Sequence, residues 1–427
     1  MILNVIESLY NRVVHNKTII NGTLFSLFSF FGQGISFVLL ILLANYILPS
    51  EYGQLSLFNT VAVFLGFIVA FSSRGYAGIS YFKKDSEEFK KDFTTIIVLG
   101  VVSIILLAIP VICFGRWLCE KLQLSEELLW YLLAISFFTF TFQLQQDYLR
   151  VKEKVYSFGI YNCGFSFMNF VLSLYFVISL KQSWMGRVNA QLMCTLCAGL
   201  ISILFFIINK LLRFEFSKRR YSEILAWSIP MIPHAATDWI KQGLDRYIIN
   251  YFYTTYDVGI FSFALNLSNI IIIIGMAFNS TNSVTQFQIL SDKTVTNQHK
   301  KNKLRKQGRL TIIIYFAAAI IVSLLGSVLT FFALPKYVES IPYLFILVVA
   351  GFGKCIYFLY CNYLFYYSRT KMLMYITFGT SILHLVLSFI LTRYSLFYTS
   401  IVYAVVIWLM TSIIYVYAKN LITRNLI

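Results

Sequence analysis

Residues 300–333 read KKNKLRKQGRLTIIIYFAAAIIVSLLGSVLTFFA, and this stretch decides the fold class of the chain. Its first ten residues include six Lys or Arg, whereas the 24 residues of 310–333 carry no charged side chain. An α-helix rises about 1.5 Å per residue, so about 20 apolar residues cross the ~30 Å hydrocarbon core of a bilayer. The stretch therefore predicts a transmembrane helix with a strongly basic end.

Apolar runs of this kind recur along all 427 residues. Hydrophobic residues make up 59% of the chain and charged residues only 12%, about half of the charged fraction of a soluble domain. Strand-like alternation is missing, and helices satisfy their own backbone hydrogen bonds in lipid, so an all-α polytopic membrane protein is predicted. Its twelve spans cover residues 19–47, 53–73, 93–114, 127–146, 156–180, 188–209, 223–249, 258–290, 310–333, 341–365, 372–391 and 396–418.

The formal net charge of +17 follows the predicted topology. If the N-terminus is cytoplasmic, the inside segments hold 26 Lys and Arg residues and the outside loops hold 6. This bias predicts that both termini are cytoplasmic and that the basic run 300–306 lies against anionic lipid head groups. No nucleic-acid partner is expected. The first 17 residues show no cleavable signal and are interpreted as a short interfacial helix or a tail.

Seven cysteines are scattered along the chain. Cys194 and Cys197 have the spacing of a metal-binding pair, but they lie in an apolar span without a second pair of ligands. Small packed side chains are the better interpretation. We therefore expect no metal site, no cofactor and no disulfide framework.

The chain divides into two similar halves. A basic connector, residues 211–222, separates an N-terminal six-helix bundle, residues 1–210, from a C-terminal six-helix bundle, residues 223–427. An Asn-Tyr pair followed by Gly-x-x-Ser begins at Asn45 and again at Asn250, an offset of 205–206. The alternative explanation of this match is chance similarity, because the composition of the chain is strongly biased towards apolar residues. Two pseudo-symmetric bundles of six helices would be parallel repeats, and such repeats suit alternating access.

Ionisable side chains at membrane depth are costly, which makes them candidates for function. The seventh span carries four of them: Asp238, Lys241, Asp245 and Arg246. The first three recur at helical spacing and predict one charged face, either a self-neutralising cluster or the lining of a wet cleft. The same span can bend at Pro230, Pro233 and Gly243.

Three more ionisable residues lie in other spans. Arg74, near the inner end of the second span, is either a snorkelling interfacial side chain or a cleft contact for a lipid head group. Lys354 lies midway along the tenth span beside Gly351 and Gly353, without an acidic neighbour in sequence, and is predicted to line the cleft. His384, in the eleventh span, is a hydrogen-bonded contact between helices or a proton relay.

The interior thus holds four predicted cations and two carboxylates. A net positive cleft favours an anionic cargo such as a phosphate or diphosphate, for which Arg and Lys are suitable partners. The first six predicted spans contain no Asp or Glu at mid-membrane depth, which argues against a cation antiporter with a carboxylate site in that half.

Several stretches resemble one transporter family. Residues 45–53, NYILPSEYG, resemble the turn after the first helix of polysaccharide transporters, and 245–249 with 257–264 resemble their seventh-to-eighth helix signature. The resemblance continues at residues 334–337, 362–364 and 369–371. Together these stretches resemble the O-antigen and capsule (Wzx-like) flippases of the multidrug/oligosaccharidyl-lipid/polysaccharide (MOP) exporter superfamily. Relatives often carry an Asn where this chain has His384.

The resemblance implies a two-lobed flippase working by alternating access. Its cargo would be an undecaprenyl-diphosphate-linked oligosaccharide repeat unit, moved from the inner to the outer leaflet of the bacterial cytoplasmic membrane for O-antigen and lipopolysaccharide or other polysaccharide biosynthesis. Substrate binding is assigned to Arg74, Lys241, Arg246 and Lys354. Ion pairing, or coupling to H⁺ or Na⁺, is assigned to Asp238, Asp245 and His384.

Other functions are distinguishable from this one. A multidrug/cation antiporter of the same superfamily would show drug-stimulated proton or sodium counterflow, and a lipid II flippase would carry a different glycan. A membrane glycan polymerase or ligase would need a larger outer segment than the predicted loops of about 12 residues or fewer. We therefore expect a transporter, not an enzyme, that functions as a monomer.

Overall fold

The computed structural model describes residues 17–292 and 294–425, and this part of the chain is helical apart from short turns and the irregular connector 209–217. The segment predicted to be an interfacial helix or a tail lies almost entirely outside the described residues. Eleven helical segments in the described chain are long and apolar enough to cross a membrane. The predicted all-α polytopic fold with about twelve spans is confirmed.

Two compact units divide the chain, and the first comprises the described residues up to Ile47 together with Val61–Ile232. Its helices are α1 (Lys17–Ala44), the end of α2 (Pro49–Ile68), α3 (Arg74–Lys83), α4 (Ser86–Leu122), α5 (Glu126–Val151), α6 (Val155–Leu174), α7 (Ser183–Ile208) and α8 (Lys218–Ser228). A π-helical turn, Tyr175–Ser179, extends α6. Aromatic side chains fill part of the core, where the rings of Phe93 and Phe206 lie 5.0 Å apart.

The second unit comprises Leu48–Thr60 and the described residues from Pro233 onward. Its helices are the start of α2, α9 (Met231–Gln242), α10 (Leu244–Phe252), α11 (Thr255–Ser291), α12 (Asn297–Ala333), α13 (Ile341–Tyr366), α14 (Thr370–Thr392) and α15 (Leu396–Asn425). The two halves expected from the sequence stay a prediction. By their contacts, residues 48–60 group with the second unit and residues 211–232 group with the first.

The predicted second span, residues 53–73, is not one continuous helix. After α2 the chain makes a left-handed turn in which three consecutive residues have positive φ: Ala70, Phe71 and Ser72. Such a conformation costs roughly 1–2 kcal/mol per non-glycine residue. The hydroxyl of Ser103 stabilises the turn, because it accepts the backbone N–H of Ala70 at 2.9 Å. The turn places Arg74 at the first residue of α3.

The predicted seventh span, residues 223–249, is divided among α8, α9 and α10. The first break is at Pro230, which has no N–H to donate to a helix. The second is at Gly243, where a Cβ would come 2.7 Å from the side chain of Trp239. Two of the predicted bending positions are therefore breaks, whereas Pro233 lies in the first turn of α9, where proline is tolerated.

These breaks change the arrangement of the seventh-span charges. Asp238 and Lys241 lie on α9, whereas Asp245 and Arg246 lie on α10. Gly243 keeps helical backbone angles, with φ −78° and ψ −52°, and its N–H donates to the carbonyl of Trp239 at 2.7 Å. The prediction of one charged face stays a prediction.

Two glycines bring the first turns of α2 and α11 together within the second unit. A Cβ on Gly53 would come 1.9 Å from the carbonyl oxygen of Thr255, and a Cβ on Gly259 would come 1.8 Å from that of Pro49. No other residue fits at either position without moving the backbone. The contacts are reciprocal, and both glycines belong to the Gly-x-x-Ser motif that recurs in the two halves.

The same two turns are capped in the same way. The backbone N–H of Leu48 donates to the carboxylate of Glu51 at 3.0 Å, and that of Thr254 donates to Asp257 at 3.1 Å. Side chains that satisfy free N–H groups stabilise the start of a helix. The repeated sequence therefore corresponds to repeated local geometry.

Candidate functional site

In the first unit, Arg74 forms an ion pair at the start of α3. Its Nε lies 2.8 Å from Oδ2 of Asp147 on α5, and its guanidinium hydrogen-bonds Gln143. Asp147 also pairs with Arg150 at 3.2 Å. The side chain of Arg74 is 40% exposed, so solvent and a neighbouring carboxylate both moderate its charge.

A second group of charges joins α3, α4 and α8; we call it the Asp92 network. The fully buried carboxylate of Asp92 lies 2.9 Å from Lys84, 3.1 Å from Nε of Arg220 and 2.6 Å from the hydroxyl of Ser80. Arg220 also reaches Glu88 at 2.8 Å. Burial lowers the pKa of Lys84, but the hydrogen bonds to Asp92, Tyr76 and Glu223 and the charge of Asp92 together outweigh burial and raise the pKa above the ordinary value. These groups stabilise one another.

Sequence reasoning missed the carboxylates of the first unit. Asp92 and Asp147 each lie one residue outside a predicted span, 93–114 or 127–146, yet both lie inside long helices and are at least three-quarters buried. The expectation that the first six spans lack carboxylates at mid-membrane depth stays a prediction, although the helices of this unit contain these two largely buried carboxylates. The first unit therefore offers less evidence against a cation antiporter than the predicted spans did.

In the second unit, Lys354 on α13 is paired with a carboxylate 116 residues away in sequence. Its Nζ lies 2.9 Å from Oδ1 of Asp238 on α9. The lysine side chain is only 8% exposed, whereas that of Asp238 is 66% exposed. The buried ammonium is thus paired with a carboxylate that is largely exposed.

Lys241, on α9, has the poorest set of partners among these cations. Its side chain is 2% exposed, and the one hydrogen bond that the described residues give its ammonium is to Sδ of Met410 at 3.4 Å. It also interacts electrostatically with Asp238 and Lys354. An ammonium has three donors, and a thioether is a weak acceptor. Two buried lysines therefore share one exposed carboxylate; we call Asp238, Lys241 and Lys354 the lysine cluster.

Asp245 belongs to a separate buried set of polar side chains, here called the Asp245 chain. Nε2 of His384 lies 3.0 and 3.1 Å from its two carboxylate oxygens, and the hydroxyl of Ser388 donates to it at 2.6 Å. The chain continues from Ser388 to Thr392 at 3.5 Å and from Thr392 to Thr399 at 2.9 Å. All five side chains are buried, so the structure places His384 in a contact between α10 and α14.

The second nitrogen of His384 has a different environment. Nδ1 is buried and has no hydrogen-bond partner among the described residues. The imidazole ring lies edge-on to Tyr403, with ring centroids 5.9 Å apart. A histidine with one nitrogen on a carboxylate and the other unbonded has the chemistry of a proton-accepting pair.

Arg246 connects α10 to α2 and α11 through hydroxyl groups. Its Nε donates to Ser262 at 3.1 Å, and a terminal nitrogen donates to Thr60 at 3.1 Å. Ser262 is the serine of the second Gly-x-x-Ser motif. Arg246 thus contacts the region where the two glycines bring α2 and α11 together.

Amide side chains that the sequence analysis did not select join α11 to α13. Asn362 donates to Asn279 and to Gln286, at 2.9 Å in each case. The signal was present in the sequence, because residues 279–283 read NSTNS at the end of an apolar span. Satisfied amides of this kind fix helix packing in a membrane.

Two further sequence expectations concern cysteine and the basic run. Cys194 is buried and donates to the carbonyl of Phe165 at 3.4 Å, and no group of three metal-ligating side chains occurs among the described residues. Lys300 was predicted to lie against lipid head groups, and this is wrong. Its side chain is buried and donates to the carbonyl of Leu290 at 3.2 Å.

Comparison with known proteins gives the family. A family model described as "Polysaccharide biosynthesis protein" matches residues 19–285, which is more than half of the chain. The Lsg locus protein 1 of Haemophilus influenzae is 21% identical over 348 residues, covering 79% of this chain and 82% of that protein.

Two solved structures share the fold. An inward-facing MATE multidrug resistance transporter of the MOP superfamily has a TM-score of 0.74 at 12% identity, covering 92% of this chain and 94% of that one. The lipid II flippase MurJ, in an inward closed conformation, has a TM-score of 0.72 at 16% identity, covering 95% and 90%. The chain therefore belongs to the polysaccharide biosynthesis protein family and has the MOP-superfamily fold that its sequence resembles.

Proposed function

We propose that this protein is a flippase for an undecaprenyl-diphosphate-linked oligosaccharide repeat unit. It moves the unit from the inner to the outer leaflet of the bacterial cytoplasmic membrane by alternating access, as a monomer with both termini cytoplasmic, and supplies O-antigen or a related polysaccharide. The family and the fold shared with a lipid II flippase support a lipid-linked cargo. The bias of Lys and Arg towards one side supports the orientation.

The lysine cluster is the observation that carries this proposal. Lys241 and Lys354 are buried, and together with Asp238 they leave one net positive charge inside a helical membrane unit. A diphosphate supplies several charged acceptors, so it can replace the carboxylate on Lys354 and also satisfy Lys241. Asp238 would then return to Lys354 when the cargo leaves. The diphosphate and the carboxylate of Asp238 would thus bind Lys354 in turn, so cargo binding is reversible and needs no covalent step.

Two arginines are proposed as weaker contacts to the diphosphate or to acidic sugars. Arg74 must first exchange Asp147, and Arg246 must exchange the hydroxyls of Ser262 and Thr60. Because each has partners already, each gains less from an incoming anion than Lys241 does.

Transport by reconstituted protein tests the proposal. Lys241→Met and Lys354→Gln should each lower transport of lipid-linked oligosaccharide into the outer leaflet of vesicles at least roughly tenfold, since each removes a charged contact of about 1.5–3 kcal/mol. Asp238→Asn should lower the cargo concentration needed for half-maximal rate. Lys419→Gln, at an exposed position of α15, is the matched control and should transport normally. Wild-type rates in Lys354→Ala and Arg74→Ala together would exclude a cationic binding site.

We also propose that the Asp245 chain couples transport to H⁺ or Na⁺. Its buried Asp–His pair and the hydroxyls that continue from it are groups that exchange protons or coordinate a cation. Asp245→Asn should leave cargo binding intact and abolish cargo-driven ion flux, recorded with pH-sensitive and sodium-sensitive dyes in the same vesicles. Ion flux that persists in this variant places the coupling site elsewhere.

A multidrug/cation antiporter is the second candidate, favoured by the fold shared with a MATE transporter and by the buried Asp92. It predicts drug-stimulated counterflow in empty vesicles, whereas the flippase shows counterflow only with lipid-linked cargo. Recovery of the cargo without new glycosidic bonds distinguishes both transporters from a polymerase or ligase.

A further inference from the structure

The basic end of α12 carries a groove on the face opposite its packed side. The packed side is marked by Leu304, Thr311 and Tyr315, all buried. The groove, of about 390 Å³, is lined by Asn302, Arg305, Lys306, Arg309, Leu310 and Ile313. These residues recur every three or four positions, so they form one continuous stripe along the helix.

The three cations of this groove have no carboxylate of their own. Arg305, Lys306 and Arg309 are exposed, and the described residues form no ion pair with any of them. Neighbouring lysines differ: Lys300 is buried, and Lys303 faces a second, smaller groove that includes Asp292. A local charge of +3 is therefore concentrated on one side of α12, where it favours the binding of an anion.

An apolar surface continues directly from these cations. Leu310 is 62% exposed, Ile313 is 64% exposed and Phe316 is 55% exposed, and the same face continues through Ile320 and Leu324. Exposed apolar side chains on a membrane helix contact lipid chains. The stripe therefore fits a molecule with a strongly anionic head and a long hydrocarbon tail.

We propose that this groove is the docking site for the diphosphate of the lipid-linked cargo at the cytoplasmic face, with its polyprenyl chain along the apolar stripe. The proposal rests on the proposed function. A diphosphate diester carries about two negative charges at neutral pH and about four non-bridging acceptor oxygens, so it matches three clustered cations better than a single phospholipid phosphate does. Docking here keeps the polyprenyl chain in the bilayer before the diphosphate moves to the lysine cluster.

Binding of sugar-free undecaprenyl diphosphate to protein in phosphatidylcholine nanodiscs tests the groove. The lysine cluster is first disabled with Lys241→Met and Lys354→Gln, so that the groove is measured alone. On this background Arg305→Gln/Lys306→Gln/Arg309→Gln should weaken binding at least roughly tenfold. Lys303→Gln removes a charge that lines the second, smaller groove and should change binding less than about twofold.

Three results overturn the docking site. They are full affinity in the triple variant, an equal loss in Lys303→Gln, and equally tight binding of phosphatidylglycerol, which identifies a general anionic-lipid surface. Transport separates this proposal from the proposed function. If wild-type protein moves lipid-linked oligosaccharide and the triple variant does so with an unchanged half-saturating concentration, the docking site is wrong and the proposed function is not affected. If the groove binds diphosphate selectively and the wild type moves no such cargo, the proposed function is wrong and the docking site is supported.

Discussion

The two compact units surround their buried charges in opposite ways. In the first, the buried carboxylate of Asp92 contacts two cations and a hydroxyl. In the second, the buried ammonium of Lys241 has one sulfur partner and shares one exposed carboxylate with Lys354. A buried charge with several close partners holds helices together, whereas a poorly partnered one costs free energy and is retained where a ligand completes it. This difference indicates a structural role for the Asp92 network and supports the binding role that we propose for the lysine cluster.

The largest effect on stability is expected from Asp92→Ala. This change leaves Lys84 and Arg220 without their shared buried carboxylate, and breaking a buried ion pair from one side costs about 3–5 kcal/mol. The apparent melting temperature in detergent should fall strongly, while transport per folded molecule should stay close to that of the wild type.

Glu87→Gln is the control for Asp92→Ala. Glu87 lies on the same helix, but its carboxylate is 56% exposed, so its loss should not change the melting temperature measurably. If Asp92→Ala has the melting temperature of the wild type but does not transport, the structural role of the Asp92 network is contradicted. In that case the functional carboxylate belongs to the first unit.

Lys241→Met should have the opposite effect on stability. It replaces a buried, poorly paired ammonium with a side chain of similar length beside Met410, and such replacements stabilise by about 1–3 kcal/mol. Transport should be lost at the same time. A higher melting temperature together with lost transport is the sign of a residue kept for function. A lower melting temperature would mean that Lys241 has a structural role like that of Asp92.

The general fold could be predicted from the sequence because hydropathy and charge depend on composition over long windows. Residues 310–333 carry no charged side chain, and they form the membrane-compatible part of α12. Proline also has a local signal, so the break at Pro230 was foreseeable. The left-handed turn at Phe71 was not, because it contains no glycine or proline and depends on Ser103, a partner some 30 residues away.

The candidate site could be predicted only as a set of unpaired residues. Lys354 shows no acidic neighbour in sequence, since its partner Asp238 is brought to it by the packing of α9 and α13. Asp92 was missed because the predicted span was limited to uncharged residues and so began at residue 93, whereas the helix itself begins at Ser86. Which charges meet is decided by contacts between helices, and no local pattern contains that information.

His384→Gln is expected to have a moderate effect. The amide of glutamine can still donate to Asp245, so stability should change by no more than about 1 kcal/mol. A glutamine amide cannot take up a proton as an imidazole can, and Asp245 and Tyr403 are the titratable groups that face this position. The pH dependence of transport between about pH 5 and 8 should therefore flatten. An unchanged pH profile would assign His384 a packing role only.

The smallest effect is expected at the edge of the Asp92 network. Glu215 lies 2.7 Å from Lys91, and its side chain is 48% exposed. The hydrogen bond from Lys91 holds the pKa of Glu215 below its ordinary value of 4.5. A carboxyl with a depressed pKa in the folded state stabilises the fold above the unfolded-state pKa, and this contribution disappears as the pH falls through the folded-state pKa.

Exposed pairs are screened by salt, so Glu215→Gln should not change the melting temperature at pH 7 and about 0.15 M salt. Because the variant has no carboxyl to protonate, its melting temperature should fall slightly less than that of the wild type on acidification from pH 5 to about 3. A large loss at pH 7 would show that the network depends on its exposed edge as well as on Asp92, and would remove the contrast in burial on which the comparison of the two units depends.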